Sequence, residues 1–336
     1  MNHGQFYEAD QLVEAVHKNA GGVFAGFRAA HAFGRIYSGT FKSTAIAKTL
    51  SRAAHFQGVP VPATVRLSGV SGDPSEKPGN VVALATKFYL PNSTVTDLIG
   101  ITLPAFFAGT PEEFFGFESA RALDPATGEP NKTKLLAYLV SHPNAARVVQ
   151  VLQSQLAPKS LAQASFRALH TFRFVNAAGE ARWARYHWEP EAGVAGQSVE
   201  ELAKLPHDHL FTEFEGRLQH RDVAFTLDLE LGEEGDPVDD PSAVWREGRE
   251  RVTVGRLEIN RPITLEELGD PEMMHDPTQV TDGIEVSPDD QIIALRRGAY
   301  LLSLAERSGG WKRRSPILAQ SCPFQSAVSN KSSCNQ

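Results

Sequence analysis

Residues 222–231, DVAFTLDLEL, place Val223, Phe225, Leu227, Leu229 and Leu231 at alternate positions among polar or small neighbours. That is the period of a strand with one buried face. RVTVGRLEINR at 251–261 reads as the next strand. Earlier, RALHTFRFV and ARWARYHWE flank the turn NAAGE and predict a β-hairpin. Between 61 and 107, three apolar runs punctuated by Pro and Gly (PATVRLSGV, VVALATKFYL, LIGITLPAFF) predict strands joined by turns. A helical period appears in 8–18, where Leu12, Val13 and Val16 share a face and Gly21-Gly22 follows. Residues 43–55 predict a second short helix, and 111–156 predict helix broken at Pro130 and Pro143.

The segment 287–308 is the best specified helix. Ser287 suits its N-cap, Pro288 the first position, Asp289 and Asp290 the positive end of the dipole, and Gly309-Gly310 its stop. The strands fall into two groups with helix between them and lack regular β-α-β alternation. The fold class is therefore α+β, an antiparallel sheet or barrel with helices packed outside. Residues 1–310 read as one domain. Residues 311–336, rich in Ser, Asn and Gln, read as a polar, flexible tail.

Composition narrows the function classes. The 336 residues carry 33 Lys+Arg against 40 Asp+Glu, a formal charge of −7, which argues against a nucleic-acid surface. No apolar run approaches the roughly 20 residues of a membrane span. The N-terminus shows no basic region followed by an apolar stretch, so the expected location is cytoplasmic, or periplasmic if a leader was removed. Cys322 and Cys334 both sit in the tail, where they neither staple a core nor form a metal site. His207, His209 and His220 have spacing too weak for zinc or copper and read as a solvated loop. No phosphate-cradling motif supports NADPH binding.

At about 100° per residue, Arg296, Tyr300 and Arg307 fall within about 40° of one another on the last helix. One stripe thus offers a phenol flanked by two guanidiniums. A neighbouring cation favours a phenolate, a phenolate is a donor for ferric iron, and an arginine further along can bind a carboxylate. Near the N-terminus, His31 lies between Ala30 and Ala32, with Gly34 and Gly39 downstream, leaving room for a flat partner.

In chain order, further segments extend this pattern. They are R-x-x-H-A-x-G at 28–34, TVRLSGVSGD at 64–73, KFYLPNSTVTDLIG at 87–100 and PAFF at 104–107 with Phe114 downstream. ALHTFRFVNAAGEARWARYHW at 168–188, VGRLEINR at 254–261 and HDPTQVTDGIEVSPDD at 275–290 follow, before R-x-x-x-Y with an arginine seven residues on. Together they resemble the haem catalase superfamily, and most resemble its small catalase-related peroxidases. The resemblance implies a catalase-like antiparallel β-barrel core with helices around it, and haem b as cofactor. It implies Tyr300 as proximal iron ligand with Arg296 as its charge partner, as tyrosine serves in catalases generally. His31 would be the distal base and Ser68 the hydroxyl that orients it. Arg28, Arg66 and Arg307 would hold the propionates, and Phe106 and Phe114 would be apolar distal positions.

The implied activity is reduction of hydrogen peroxide or organic hydroperoxides with electrons from small organic donors. Catalases carry Asn directly after their DLVG turn, whereas this chain has Ile101. Losing that amide predicts weak or absent catalase activity, which Ile101→Asn should raise. Two alternatives stand beside this reading: a hydroperoxide isomerase of the allene oxide synthase kind, and a non-catalytic haem-binding protein. The chain is shorter than ordinary catalases and lacks their entwining segments, so a monomer or homodimer is expected.

Overall fold

The alternating runs become strands, and each finds an antiparallel neighbour. The computed structural model describes residues 3–122, 124, 127–129 and 131–310. It opens with α1 (His3–Asn19), β1 (Gly34–Ser43), α2 (Ala47–Leu50), β2 (Val61–Gly69), β3 (Val82–Tyr89) and β4 (Val95–Ile101). Three helices follow, α3 (Pro111–Arg121), α4 (Lys132–Ser141) and α5 (Pro143–Ser154). Next come β5 (Ala157–Pro158), β6 (Phe166–Arg167), β7 (Phe172–Val175), β8 (Ala181–Pro190), β9 (Gly196–Gln197), α6 (Val199–Ala203) and α7 (His209–Leu218). The last elements are β10 (Val223–Leu231), β11 (Arg251–Ile263), α8 (Leu265–Leu268), β12 (Ile284–Val286) and α9 (Gln291–Arg307).

Strands pair in the order β10-β11-β1-β2-β3-β4-β6-β8, and β8 pairs back to β10. Eight strands thus close an antiparallel barrel, which removes the exposed edges an open sheet would carry. β7 and β12 extend the sheet beyond β8. The barrel interior is filled. Phe41 packs edge-on against Phe88 at 5.1 Å and Trp188 at 6.2 Å, with Phe166 and Phe225 in the same buried cluster. An eight-stranded barrel has just enough interior for side chains, so a binding cavity has to lie outside its wall. Strand alternation supplies that outer wall. Leu67 and Leu84 belong to the core cluster, while their neighbours Arg66, Ser68, Ala83 and Ala85 line an outer cavity.

Over that outer face lie α1 and α9. Ala9 and Val13 of α1 pack with Leu295, Ala299 and Leu302 of α9, and His17 Nε2 meets Glu306 at 2.8 Å.

Three elements differ from the sequence expectations. β1, ten residues long, was not anticipated, because glycines and missing alternation hide it. Its pairing with β11 slips between Ser38 and Gly39, and a Cβ at Gly39 would stand 2.6 Å from the Glu258 carbonyl oxygen. The helix expected over 43–55 shrinks to α2 and a single turn at Ala54–Phe56, because Ser43 ends β1. The last helix starts at Gln291, not near Ser287. Asp290 is the N-cap, accepting from the Ile293 amide at 2.9 Å, while Ser287 Oγ accepts from the Asp289 amide in the preceding turn. The break at Pro143 opens α5. Pro130 and the tail 311–336, with Cys322 and Cys334, lie outside the described residues.

Candidate active site

His31 sits in the loop between α1 and β1 with a left-handed backbone, φ 57°. A non-glycine residue in that region costs roughly 1–3 kcal/mol. The surroundings fix it: the His31 amide donates to Val70 O at 3.2 Å and the Ala32 amide to Ser71 O at 2.8 Å. Its Nδ1 lies 3.0 Å from Gly69 O and 3.2 Å from Ser68 Oγ. A carbonyl only accepts, so Nδ1 carries the proton and Nε2 presents a lone pair. Burial, then the positive charges of Arg66 and Arg296, push the His31 pKa down to about 3. The imidazole is therefore a neutral base at ordinary pH.

On α9, one turn separates Arg296 from Tyr300. Arg296 donates to the phenol oxygen from Nε at 3.0 Å and from Nη2 at 2.5 Å. Its Nη1 donates to His170 Nε2 at 2.7 Å, and His170 Nδ1 donates to Asp290 Oδ2 at 2.6 Å. His170 and Asp290 are both buried. Burial lowers the His170 pKa against the pull of Asp290, so a neutral imidazole links the guanidinium to the carboxylate. The sequence reading missed His170, although it lies in the quoted hairpin segment. Its only signal was a histidine at the hairpin's entrance, and its partners lie 120 and 126 residues away.

Three further guanidiniums gather at one margin. Arg28 donates to Met273 O at 2.6 Å, and Arg307 donates to the same oxygen at 2.7 Å and to Glu272 O at 2.8 Å. Arg66, buried, donates to His31 O at 2.7 Å. Their partners here are carbonyl dipoles. Burial and then Arg307 lower the Arg28 pKa to about 10, and burial followed by Arg28 lowers that of Arg66. Desolvated like charges gathered this way are stabilised by an anion, and guanidinium fits a carboxylate bidentately.

These groups meet in one cavity enclosing about 770 Å³, part of it open to solvent. His31, Ser68, Tyr300, Arg28, Arg66 and Arg307 all line it. Much of the remaining wall is small: Ala29, Ala30, Ala83, Ala85, Ala299 and Ser303. A slot walled by small side chains, with an imidazole, a phenol and three guanidiniums, fits a flat dianionic tetrapyrrole. The donor set therefore agrees with haem.

Arg296 reaches the cavity through its bonds to Tyr300. Phe106 and Phe114 do not line the cavity. They stack at 6.2 Å in a cluster with Phe107 and Ile292, and Leu12 and Val16 of α1 pack on that cluster and also form cavity wall. Leu12 and Val16 thus border both the phenylalanine cluster and the slot. Ile101 packs with Val81, Leu103 and Phe107, whereas Ile99, on the same strand face, is the β4 residue in the wall. His207 packs its ring 4.6 Å from Phe33. Among the described residues no helix is long and apolar enough to cross a membrane.

Comparison with known proteins points the same way. A family model described as catalase matches residues 25–333. A catalase-related peroxidase of Mycolicibacterium paratuberculosis is 35% identical over 303 residues, covering 89% of this chain and 95% of the relative. One from Synechococcus elongatus is 30% identical, covering 90% of this chain and 89% of the relative. Among solved structures, a fungal catalase superposes with a TM-score of 0.74 at 22% identity, over 90% of this chain and 63% of that one. Catalase A from Saccharomyces cerevisiae gives 0.73 at 21% identity, over 84% and 61%. The chain therefore spans about six-tenths of the length of these solved catalases.

Proposed function

The chain belongs to the catalase family, and from that premise we propose that it is a haem b-dependent peroxidase. It reduces hydrogen peroxide or organic hydroperoxides with electrons from small organic donors, and dismutation of peroxide is its minor activity. The observation that carries this reading is the single slot into which the His31 imidazole and the Tyr300 phenol both open. Haem, when bound, supplies the redox centre at which the peroxide O–O bond is cleaved.

The side chains supply the rest. Nε2 of His31, free of hydrogen bonds to its own loop, takes a proton from one peroxide oxygen and returns it to the departing one. Positioned acid–base work of this kind contributes about 10²–10⁴-fold. Ser68 and the Gly69 carbonyl hold the ring in the tautomer this requires. Tyr300 is the iron ligand, and the two N–H bonds from Arg296 offset its negative charge. Arg28, Arg66 and Arg307 hold the propionates. These three arginines also line a second groove of about 1290 Å³, where the half-exposed ring of Phe27 offers a flat surface for a small aromatic donor.

Weak dismutation follows from β4. Its sequence, VTDLIGI, contains no amide side chain, and its wall residue Ile99 is apolar. An oriented donor at a reacting oxygen is worth roughly 2.7–4 kcal/mol in the oxyanion-hole comparison. A dismutation cycle handles peroxide twice and forgoes that donor twice.

The test is a spectrum and a product analysis of the haem-loaded protein. A Soret band with ferric-phenolate charge-transfer features, together with donor oxidation that outpaces oxygen evolution, is the expected result. Oxygen evolution at ordinary catalase rates would reverse the order of activities. A rearranged fatty-acid hydroperoxide formed without any donor would assign an isomerase, and peroxide left untouched would assign a carrier.

A further inference from the structure

His275 lines the same cavity and has no role in the account above. It is only 8% exposed, and its Nε2 is buried without a hydrogen-bond partner. Among the described residues several buried side-chain atoms lack partners, but His275 Nε2 is the one in this cavity wall. A buried polar nitrogen left unpaired is costly, so this position calls for a hydrogen-bond partner.

The backbone fixes where the imidazole stands. Two residues before it, the Met273 carbonyl is held by both Arg28 and Arg307. One residue after it, the Asp276 amide donates to Asp97 Oδ2 at 2.8 Å, and Asp97 is itself held by Lys87 at 2.7 Å. The histidine is thus clamped beside the arginine margin of the slot. Burial and the surrounding charges of Lys87, Arg28, Arg66 and Arg307 keep it neutral. A neutral imidazole facing an anion donates its N–H, and it adds that bond without adding another positive charge to a crowded cluster.

We propose that His275 is a fourth polar contact for the cofactor's carboxylates, its Nε2–H donating to a haem propionate beside Arg28, Arg66 and Arg307. This rests on the haem reading above. It makes His275 a cofactor-binding residue whose contribution disappears when the propionate charge is removed.

The test measures the rate of haem loss from the full-length holoprotein to excess apomyoglobin, using ferric haem and its dimethyl ester. A hydrogen bond from a neutral donor to a charged acceptor predicts that His275→Phe speeds loss of haem roughly tenfold or more. The same change should alter loss of the ester by less than about twofold, and His275→Gln, which keeps an N–H donor, should restore most of the retention. Equal acceleration for haem and ester would mean that the ring only packs, and no acceleration of haem loss would mean no contact; either overturns the proposal. If His275→Phe does not fold, the pair His275→Gln and His275→Met, alike in length but differing in the donor, decides by the same criterion. A wild-type protein that shows no phenolate-ligated spectrum with either porphyrin would instead sink the haem reading itself.

Discussion

His31 and Tyr300 open into one slot, yet the two walls follow opposite electrostatic plans. On the His31 side, the ring's own hydrogen-bond partners are local and uncharged. The imidazole meets a hydroxyl and a carbonyl, and burial with nearby guanidiniums holds its pKa near 3. On the Tyr300 side, charge is carried inward through Arg296 and a neutral His170 to the buried carboxylate of Asp290. The difference matches the tasks proposed for them. A base must be able to take up a proton and give it back, so it has no carboxylate to hold that proton. A ligand oxygen that carries negative charge throughout needs a permanent, balanced network. The carboxylate also caps the helix that bears the tyrosine, since Asp290 Oδ1 accepts from the Ile293 amide.

The largest expected effect breaks the charged wall. Tyr300→Phe should abolish the ferric-phenolate charge-transfer bands and reduce donor oxidation to the level of free haem, read by absorption and by steady-state assay. Next, His31→Gln should leave the Soret band in place while slowing peroxide reduction by about 10²–10⁴-fold, measured by stopped flow. Equal loss of haem binding in the two variants would erase the distinction between the walls. His170→Phe tests the relay. It strands Asp290 without its imidazole partner, and should destabilise the protein by roughly 1.5–3 kcal/mol, as for other hydrogen bonds to charged groups, on a urea curve.

The neutral wall also predicts a pH dependence. Both His31 and His55, the latter stacked on Phe88 far inside the fold, have pKa values lowered to about 3 by burial. In the unfolded chain each returns to about 6.5. Between these values the unfolded chain binds a proton that the native protein refuses. The stabilisation is therefore complete above pH 6.5 and is lost as pH falls toward 3, by about 1.4 kcal/mol per pH unit for each histidine. His55→Phe should remove one such share from the acid limb of the stability profile while leaving peroxide reduction unchanged. The smallest effect is expected from Ile101→Asn. Because Ile101 packs outside the slot with Val81 and Leu103, oxygen evolution should rise only a few-fold, followed with an oxygen electrode.

Much of this was legible in the chain, for identifiable reasons. β10 announces itself through five alternating apolar positions, and the hairpin of β7 and β8 through a glycine turn, Gly179 at φ 83°. Arg296, Tyr300 and Arg307 share one helix face, so helical spacing alone aligned them. β1 was invisible because Gly34 and Gly39 serve close packing: a Cβ at Gly34 would stand 2.6 Å from Leu67 O and 2.7 Å from Arg66 Nη2. His170 and His275 were missed for another reason. The partners of His170 and the arginines around His275 come from remote segments, and spacing along the chain carries no trace of such neighbours. The start of α9 was misjudged because Ser287, Asp289 and Asp290 all suit a cap, and the choice of Asp290 coincides with its second bond, to His170.

The Met273 carbonyl, gripped by both Arg28 and Arg307, has a consequence for biogenesis. On the reading proposed above, residues near the beginning, near 273 and at the end of the described chain must all be present before the haem propionates find their full set of holders. A nascent polypeptide still lacking α9 can close its barrel, since all eight staves lie upstream of residue 264, but it has neither Tyr300 nor Arg307. On the same reading, cofactor capture would wait for α9, the last helix among the described residues.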